Sequence, residues 1–515
     1  MDEYREEKMA DNQEVKIMDS KCISCLRSIT VEPSLFLLSM AVGFASSSYQ
    51  YLLYTKVCIG LYSEDTCETF QGNESDAVKD YLQDVQKQTS QVIFYDNFCY
   101  TIPTLFTIFI LGSWSDRFNR KIPILSGSTG AFLAYALCIV LSVFLDTSVY
   151  LCFISSLVYG IFGGIEAAVM GCFSYLSDVA SEKTRTTRLS YLTASRTIGY
   201  VLPMFVAGYL LESTSFTVVY IIVTTICMVC IVYTVLMVRS ISPSDQQPQV
   251  MTVDPQEICA NIEHQTEEDK TSSHKSHLYV PLKDLSWKNR IRELCNLSHL
   301  KDSFIVTFKP RSGNERKHIL TVLFANFCIS WSSASFITYL FLKAEPIHLS
   351  QTLFTVFVAL DNLVSFASQS LLLPLMKSRT TFHDQSLMLF GLTGDIVSRF
   401  YMAACRSAWM VFLIPLVTIF NNFHATCSRS YFTTLVSPDE VGKIYAVQSF
   451  LDMLAFLLGS FLYNLALYPA TVHFYPGFSF LISGVIALLP LGMYVYLYRQ
   501  RNNKHQTLEE EITCN

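Results

Sequence analysis

The sequence predicts an all-α membrane protein with twelve transmembrane helices in two six-helix halves. Three observations carry that reading. Of the 515 residues, 51% are hydrophobic and only 16% are charged, whereas soluble domains carry about a quarter charged residues. The apolar residues gather into twelve runs, each near the roughly 20 residues a helix needs to cross the hydrocarbon. A long polar gap then divides the runs six and six.

Taken in order, residues 1–33 form a mixed-charge tail. It has no short apolar stretch followed by a small-residue cleavage site, so it does not read as a signal peptide. The first run, near 34–54, is long enough to span and stay. Runs near 92–113, 122–145, 149–173, 187–211 and 216–238 complete a first half over 34–238. Runs near 318–342, 351–376, 385–405, 409–434, 443–467 and 474–498 make a second half over 318–498, followed by a tail over 499–515. The 239–317 segment between the halves begins rich in Ser, Pro, Gln and Glu. It holds too few apolar residues to offset the entropy of ordering and is expected to be largely disordered. Its second part, LKDLSWKNRIRELCNL, spaces Leu285, Ile291 and Leu294 helically among basic residues. That suits a helix lying on the inner membrane surface, where it would meet lipid, or equally a partly folded tether.

Lysine and arginine set the orientation. Loops after even-numbered helices carry Arg117, Arg120 and Lys121, then Lys183, Arg185 and Arg188, then Lys377, Arg379 and Lys443. The opposite loops 146–148, 212–215 and 468–473 contain neither residue. Both tails and the 239–317 loop are therefore expected in the cytoplasm, in a plasma or lysosomal membrane. The first outer loop contains Asn73-Glu74-Ser75, a glycosylation sequon on the side where glycosylation occurs. Cys58 and Cys67 share that polar loop and are the pair that can be oxidised. Most other cysteines sit in apolar runs as small hydrophobes. Cys22 and Cys25 form a lone CxxC without partners. No metal constellation, Gly-rich phosphate loop or GxSxG elbow is present. Enzymatic activity, a cofactor, a metal and nucleic acid are not expected.

Two further patterns bear on mechanism. YLSDVASEKTRT, from Tyr175, and YFTTLVSPDEVGK, from Tyr431, each run an aromatic helix end through an acidic-then-basic turn into the next helix. Such duplication is how transporters expose a central site alternately. The turn after helix 2 reads GSWSDRFNRK. Gly112 would let another helix approach closely, and Asp116 would accept N–H bonds at a helix start or face a helix's positive end. Arg117, Arg120 and Lys121 would bridge to acids at other helix ends, and a tight turn favours positive φ near Asn119. Together they would latch the halves in one state and release them in the other.

This G-x-x-x-D-R-x-x-R-K pattern resembles the signature loop of the major facilitator superfamily, with Asn119 in place of the usual second glycine. A closer resemblance, to the proton-coupled folate transporter family (solute carrier family 46), rests on short motifs in order. They are VEP (Val31–Pro33), Gln50-Tyr51, FGG (Phe162–Gly164), Arg429, LYPAT (Leu467–Thr471) and YPGFSFL (Tyr475–Leu481). The resemblance implies a major facilitator fold and a proton-linked carrier, in a family that spans folate carriers and lysosomal exporters of drug-like or muropeptide-like cargo. The chain departs from the folate carriers at the acids of helices 4 and 5, where it has Ile161 and Thr193. It departs again at a helix 7 histidine, where it has Trp331, and KAEPIHLS lacks the outer-loop cysteine. If the chain couples to protons, it must use other acids.

Charges within the membrane cost about 2.5–3.5 kcal/mol on insertion scales and so mark candidate sites. Arg429 shares a helical face with Asn422 and Thr426 and suits a carboxylate, or else pairs with an acid on a facing helix. Arg196, with Thr193 and Tyr200, is its counterpart in the first half. Glu166 and Asp361 first, then Asp96 and Asp452, lie deep enough to carry a proton. Asp395 and Arg399 pair with each other at i, i+4 on helix 9, which is peripheral in that fold. Ser46–Tyr51 and Asn326, Ser330 and Ser333 form polar faces that line a cavity or join helices. The expectation is a secondary active transporter of a small organic anion, folate-like or otherwise carboxylate-bearing, proton-coupled and working by alternating access. The alternatives are a uniporter or lysosomal exporter of a muropeptide-like or drug-like solute, or a non-transporting scaffold or receptor.

Overall fold

The computed structural model describes residues 30–63, 67, 76–117, 119–179, 182–240, 304–311, 313–379, 382–473 and 475–514. Asn73, most of both the amino-terminal tail and the long loop, and the side chains of Asp116 and Arg117 lie outside the described residues. What is described is helical, without strands. Before the long loop come α1 (Glu32–Leu61), α2 (Asp76–Arg117), α3 (Lys121–Val143), α4 (Val149–Leu176), α5 (Glu182–Ser213) and α6 (Phe216–Met237). After it come α7 (Glu315–Lys343), α8 (Gln351–Lys377), α9 (Asp384–Ala404), α10 (Ala408–Leu435), α11 (Lys443–Thr471) and α12 (Phe478–Cys514).

Among the described residues, ten helices are long and apolar enough to cross a membrane, against twelve runs in the sequence reading. The other two, α1 and α9, are long enough but more polar: Ser46, Ser47, Ser48 and Gln50 dilute α1, as Asp395 and Arg399 dilute α9. Two helices outrun their apolar segments. α12 continues to Cys514, well past the expected end near 498. α2 begins at Asp76, where the sequence reads as loop until about 92. Its early turns are polar because they pack on another helix by hydrogen bonding. Ser90 Oγ donates to the Asn464 carbonyl at 2.8 Å, and Tyr468 donates to Gln86 Oε1 at 3.2 Å.

The amino-terminal helices pack on one another, α1 on α5 and α6, α3 on α4 and α6, and α2 on α4. The carboxy-terminal ones do likewise, α9 on α10 and α12, and α7 on α11 and α12. The two sets meet chiefly where α5 faces α8 and α2 faces α11. Those meetings are densest at the end of the bundle where Cys58 and Cys67 are joined by a disulfide. Glu212, at the end of α5, accepts the Thr352 N–H at 3.0 Å and the Thr352 hydroxyl at 2.6 Å. It thereby caps the positive end of α8, with its orphan N–H groups, from across the bundle. Gln351 Nε2 donates to the Ser47 carbonyl at 3.3 Å, and the Lys343 ammonium sits 4.3 and 4.5 Å from the Tyr51 and Tyr54 rings. Gly208 permits this approach: a Cβ there would lie 2.6 Å from Thr352 Cα and 3.0 Å from the Gln351 carbonyl.

At the opposite, basic end three ion pairs join residues of the same set. Arg120 meets Asp178 at 2.6 Å, Arg188 meets Glu32 at 3.0 Å and Arg311 meets Glu440 at 2.7 Å. There the sets touch through the Phe109 and Phe450 rings. A buried lysine is resolved in the same way. Lys56, 2% exposed, donates to the carbonyls of Phe144 at 2.8 Å and Leu145 at 3.3 Å just past the end of α3. Its charge rests on the negative pole of that helix.

Both ends of the bundle can be probed through these contacts. Gly208→Leu should part α5 from α8. A cysteine placed at buried Ser90 should then react with a maleimide several-fold faster than in the Gly208 background; equal labelling would show that the seal does not depend on this approach. Glu440 precedes the apolar span of α11, and its hydrogen bond from Arg311 holds its carboxyl below the usual range. A lowered value stabilises the fold above the unfolded pKa of about 4.3 and is lost as pH falls through the folded value. The melting-temperature advantage of wild type over Glu440→Gln should therefore be present at pH 7 and vanish in acid.

Candidate central cavity

Broken helices create the site. α4 breaks at Phe162-Gly163-Gly164, where the glycines take φ of +83° and +57°, a region other residues avoid. The carbonyls of Ile161 and Phe162 are taken up by Thr107 Oγ1 at 3.0 Å and Ser126 Oγ at 2.8 Å. α7 breaks after Trp331, and there the Ser332 carbonyl accepts Arg399 Nη1 at 2.9 Å, Tyr463 OH at 2.7 Å and Ser483 Oγ at 2.6 Å. α10 is interrupted by the 3-10 turn Thr418–Phe420 that follows Pro415. Irregular backbone at membrane depth is tolerated where it is buried in protein or lines a cavity.

Two cavities meet beside these breaks. One, of 380 Å³, is lined by Ser47, Tyr200, Asp361, Arg399 and Asn421 among others; the second, of 330 Å³, by Tyr49, Asp96, Tyr100 and Ser156. Ser46, Gln50 and Ser335 line both. A larger space of 980 Å³ lies at the disulfide end, lined by Lys343, His348, Arg406 and His473. The central pair is the better candidate site, because it lies beside the helix breaks and contains the buried carboxyls Asp96 and Asp395.

Asp96 is 8% exposed, and its Oδ1 accepts Tyr49 OH at 2.8 Å and Ser156 Oγ at 2.6 Å. Asp361 Oδ1 accepts Thr418 Oγ1 at 2.8 Å. Neither makes an ion pair among the described residues. Asp452 accepts Ser330 Oγ at 3.2 Å, and Arg429 is in electrostatic reach. Glu166 follows the α4 break, near Tyr100 and Tyr159.

The five residues expected to hold substrate line neither central cavity. Arg429 and Thr426 are exposed, and Asn422 is half-buried. The Arg429 carbonyl accepts Tyr445 OH at 2.8 Å. Thr193 is exposed and bonds its own helix at the Leu189 carbonyl, 3.0 Å away. Arg196 is half-buried, in electrostatic reach of Tyr100 in one cavity wall and Tyr200 in the other. Asp395 and Arg399 do pair, at 2.6 Å, but helix 9 brings both into the wall of the 380 Å³ cavity rather than leaving them peripheral. The latch also differs in detail. A Cβ on Gly112 would meet only Met170 Sδ, at 3.7 Å, so no close helix approach depends on it. Asn119 does not adopt positive φ; its side chain accepts the Lys121 N–H at 2.9 Å and starts α3 that way. Lys121 Nζ donates to the Val235 and Val238 carbonyls at 2.8 Å, at the end of α6.

Residues 97–460 match the family model described as Major Facilitator Superfamily. The chain belongs to the major facilitator superfamily. It is thus a membrane transporter of that kind and not an enzyme. The resemblance to solute carrier family 46 stands as well. The lysosomal proton-coupled steroid conjugate and bile acid symporter SLC46A3 of Gallus gallus is 24% identical, over 91% of this chain and 94% of that protein. The probable peptidoglycan muropeptide transporter SLC46 of Drosophila melanogaster is 22% identical over 92% and 86%, and the proton-coupled folate transporter of Bos taurus 23% over 89% and 90%. Among solved structures, the human organic anion transporter MFSD10 (TETRAN) superposes with a TM-score of 0.58 at 14% identity, over 90% of this chain and 97% of that one. A point mutant of the nucleoside transporter NupG gives 0.59 at 13% identity, over 91% and 100%.

Arg399→Leu should cost about 3–5 kcal/mol, because it strands Asp395 as a buried unpaired carboxylate. The double change Asp395→Leu with Arg399→Leu should recover part of that loss in thermal unfolding of the detergent-purified protein. If single and double variants unfold alike, the guanidinium serves through Ser332 and not through its charge.

Proposed function

We propose that this chain is a proton-linked secondary transporter of a small organic acid, working by alternating access between the halves 34–238 and 318–498. In this reading all twelve helices cross the bilayer, and the disulfide end faces outward or into the lysosomal lumen. The basic end and both tails face the cytoplasm. One observation carries it: Asp96, a buried carboxyl in a central cavity, is held among the described residues by hydroxyls and no cation. A carboxylate accepts from both hydroxyls; a carboxylic acid donates to either, since each hydroxyl also accepts. The group can therefore change protonation without stranding a partner. The relatives' printed names, two of them proton-coupled and one of those a bile acid symporter, support the coupling.

Arg196 and Arg429 are the cations we assign to the acid's negative charge. They lie on α5 and α10, one in each half, where cargo would pass as it leaves the cavity for the basic end. Glu166 and Asp452, beside them, are secondary candidates for the proton, and Gly112, Asp116, Arg117, Arg120 and Lys121 for the latch on that face.

Saturable uptake from a panel of labelled organic acids into proteoliposomes, compared at pH 5.5 and 7.4, tests the reading. Acid should stimulate uptake by wild type several-fold, and Asp96→Asn should flatten that pH profile. Unchanged pH dependence in Asp96→Asn would move the proton to another acid. Saturable uptake of nothing on the panel would favour a scaffold or receptor.

A further inference from the structure

The 980 Å³ space at the disulfide end has acids and bases in its described lining, and the acids are committed. Glu212 turns one oxygen to the Thr352 N–H and the other to the Thr352 hydroxyl, and Glu345 meets His348 Nε2 at 3.5 Å. His473 gives its Nδ1–H to Gln83 Oε1 at 2.7 Å. Lys343 and Arg406, in the same lining, make no ion pair among the described residues.

Lys343 is the better placed of these two cations. It ends α7, and its Nζ stands 4.3, 4.5 and 5.9 Å from the ring centres of Tyr51, Tyr54 and Tyr339. Ring faces attract an ammonium but do not satisfy its three N–H donors as oxygen acceptors would. No described residue accepts a hydrogen bond from Nζ, and the atom keeps accessible surface on a side chain that lines the space. A clamp of α1 on α7 would account for the rings, and water could serve the donors. Rings on one side thin that hydration, however, and a charge so placed draws a counterion more strongly than one in bulk water. The position is also on a route inward. Tyr339 lines the 380 Å³ cavity, and Gln50, next to Tyr51, lines both central cavities. Lys343 thus stands on the outer side of a partition whose inner side is the candidate site.

We infer that this outer space is an anion site built on Lys343, which takes the carboxylate of the organic acid at the disulfide end before the central cavities open to it. The carboxylate accepts the free N–H groups of the ammonium while the Tyr51 and Tyr54 rings hold the cation from the other side. Arg406, exposed in the same lining, adds a positive field that reaches about 8 Å at physiological salt. A space of 980 Å³ is at the upper end of small-molecule pockets, about 300–1,000 Å³, so the body of the acid has room beside its charge. The inference rests on the reading of the cargo as an organic acid and adds the place where its charge is first met.

Benzoate and 2-naphthoate, each beside its uncharged carboxamide, test this. Occupancy is read at Lys343 itself, as protection from acetylation by acetic anhydride, followed by peptide mass spectrometry of the purified full-length protein. Binding is read in parallel as thermal stabilisation, which rises with ligand concentration over Kd. The carboxylates should slow acetylation of Lys343 several-fold, and the amides should not. In a background of Arg196→Gln with Arg429→Gln, which removes the other cations assigned to the acid, that protection should persist. Adding Lys343→Gln to this background should abolish the stabilisation by carboxylate over amide, and Lys343→Arg should keep much of it. The protection measurement uses the native lysine and covers the case in which Lys343→Gln does not fold. Equal protection by acid and amide, no protection by any probe, or protection lost in the arginine background would overturn the inference. Protection of Lys343 without saturable uptake of any acid would count against transport and leave the anion site standing. Saturable uptake with Lys343 unprotected would do the reverse.

Discussion

Inside hydrocarbon no water is at hand, so every backbone group and every charge must find its partner within the protein. Most of what is unusual in this structure answers to that constraint. Lys56 rests on the carbonyls at the end of α3. Arg399 is divided between Asp395 and the broken end of α7. The α4 break is tolerated because Thr107 and Ser126 reach the carbonyls it frees. The cavities then stand out by contrast. Their linings hold Asp96 and Asp361, carboxyls that make no ion pair among the described residues.

The same constraint connects the breaks to the site. A straight helix offers a cavity only side chains, whereas a broken one also offers backbone termini and room. The α7 break brings Ser333 and Ser335 into the cavity wall, and the interruption of α10 brings Thr418 and Asn421. The guanidinium that steadies the α7 break is itself part of the wall. Support and site are thus one cluster on α7, α9 and α12.

Legibility in the sequence followed the physics of each feature. Apolar runs were plain because crossing the bilayer demands them, and the boundaries of α3 and α6 fell within a few residues of expectation. The early turns of α2 were not legible, because Gln86 and Ser90 are buried by hydrogen bonding and look like loop residues. FGG was read only as a family motif, and the break in α4 that its two glycines make was not expected. Intramembrane charge drew attention to Asp96 and Asp361, and to the Asp395–Arg399 pair, which was expected to be peripheral and instead lines a cavity. It could not tell which of the charged residues face one cavity, since that depends on how helices distant in sequence are rotated. Arg429 and Arg196 were singled out by helical spacing, which groups residues on a face without saying what the face meets. Asn421, Thr418 and Ser156 carried no signal beyond being polar in apolar surroundings.

The seal at the disulfide end joins a buried apolar cluster, which groups Leu53, Val57, Val85 and Ile93 with Ile337, Leu340, Phe354 and Tyr468, to polar bonds at Ser90, Glu212 and Lys343. Such polar bonds exchange for water nearly evenly when the surfaces part. The apolar contacts do not, since parting them would expose their surface at about 25 cal/mol per Å². Apolar burial therefore sets how firmly this end holds together, and the polar bonds set the register in which its surfaces meet.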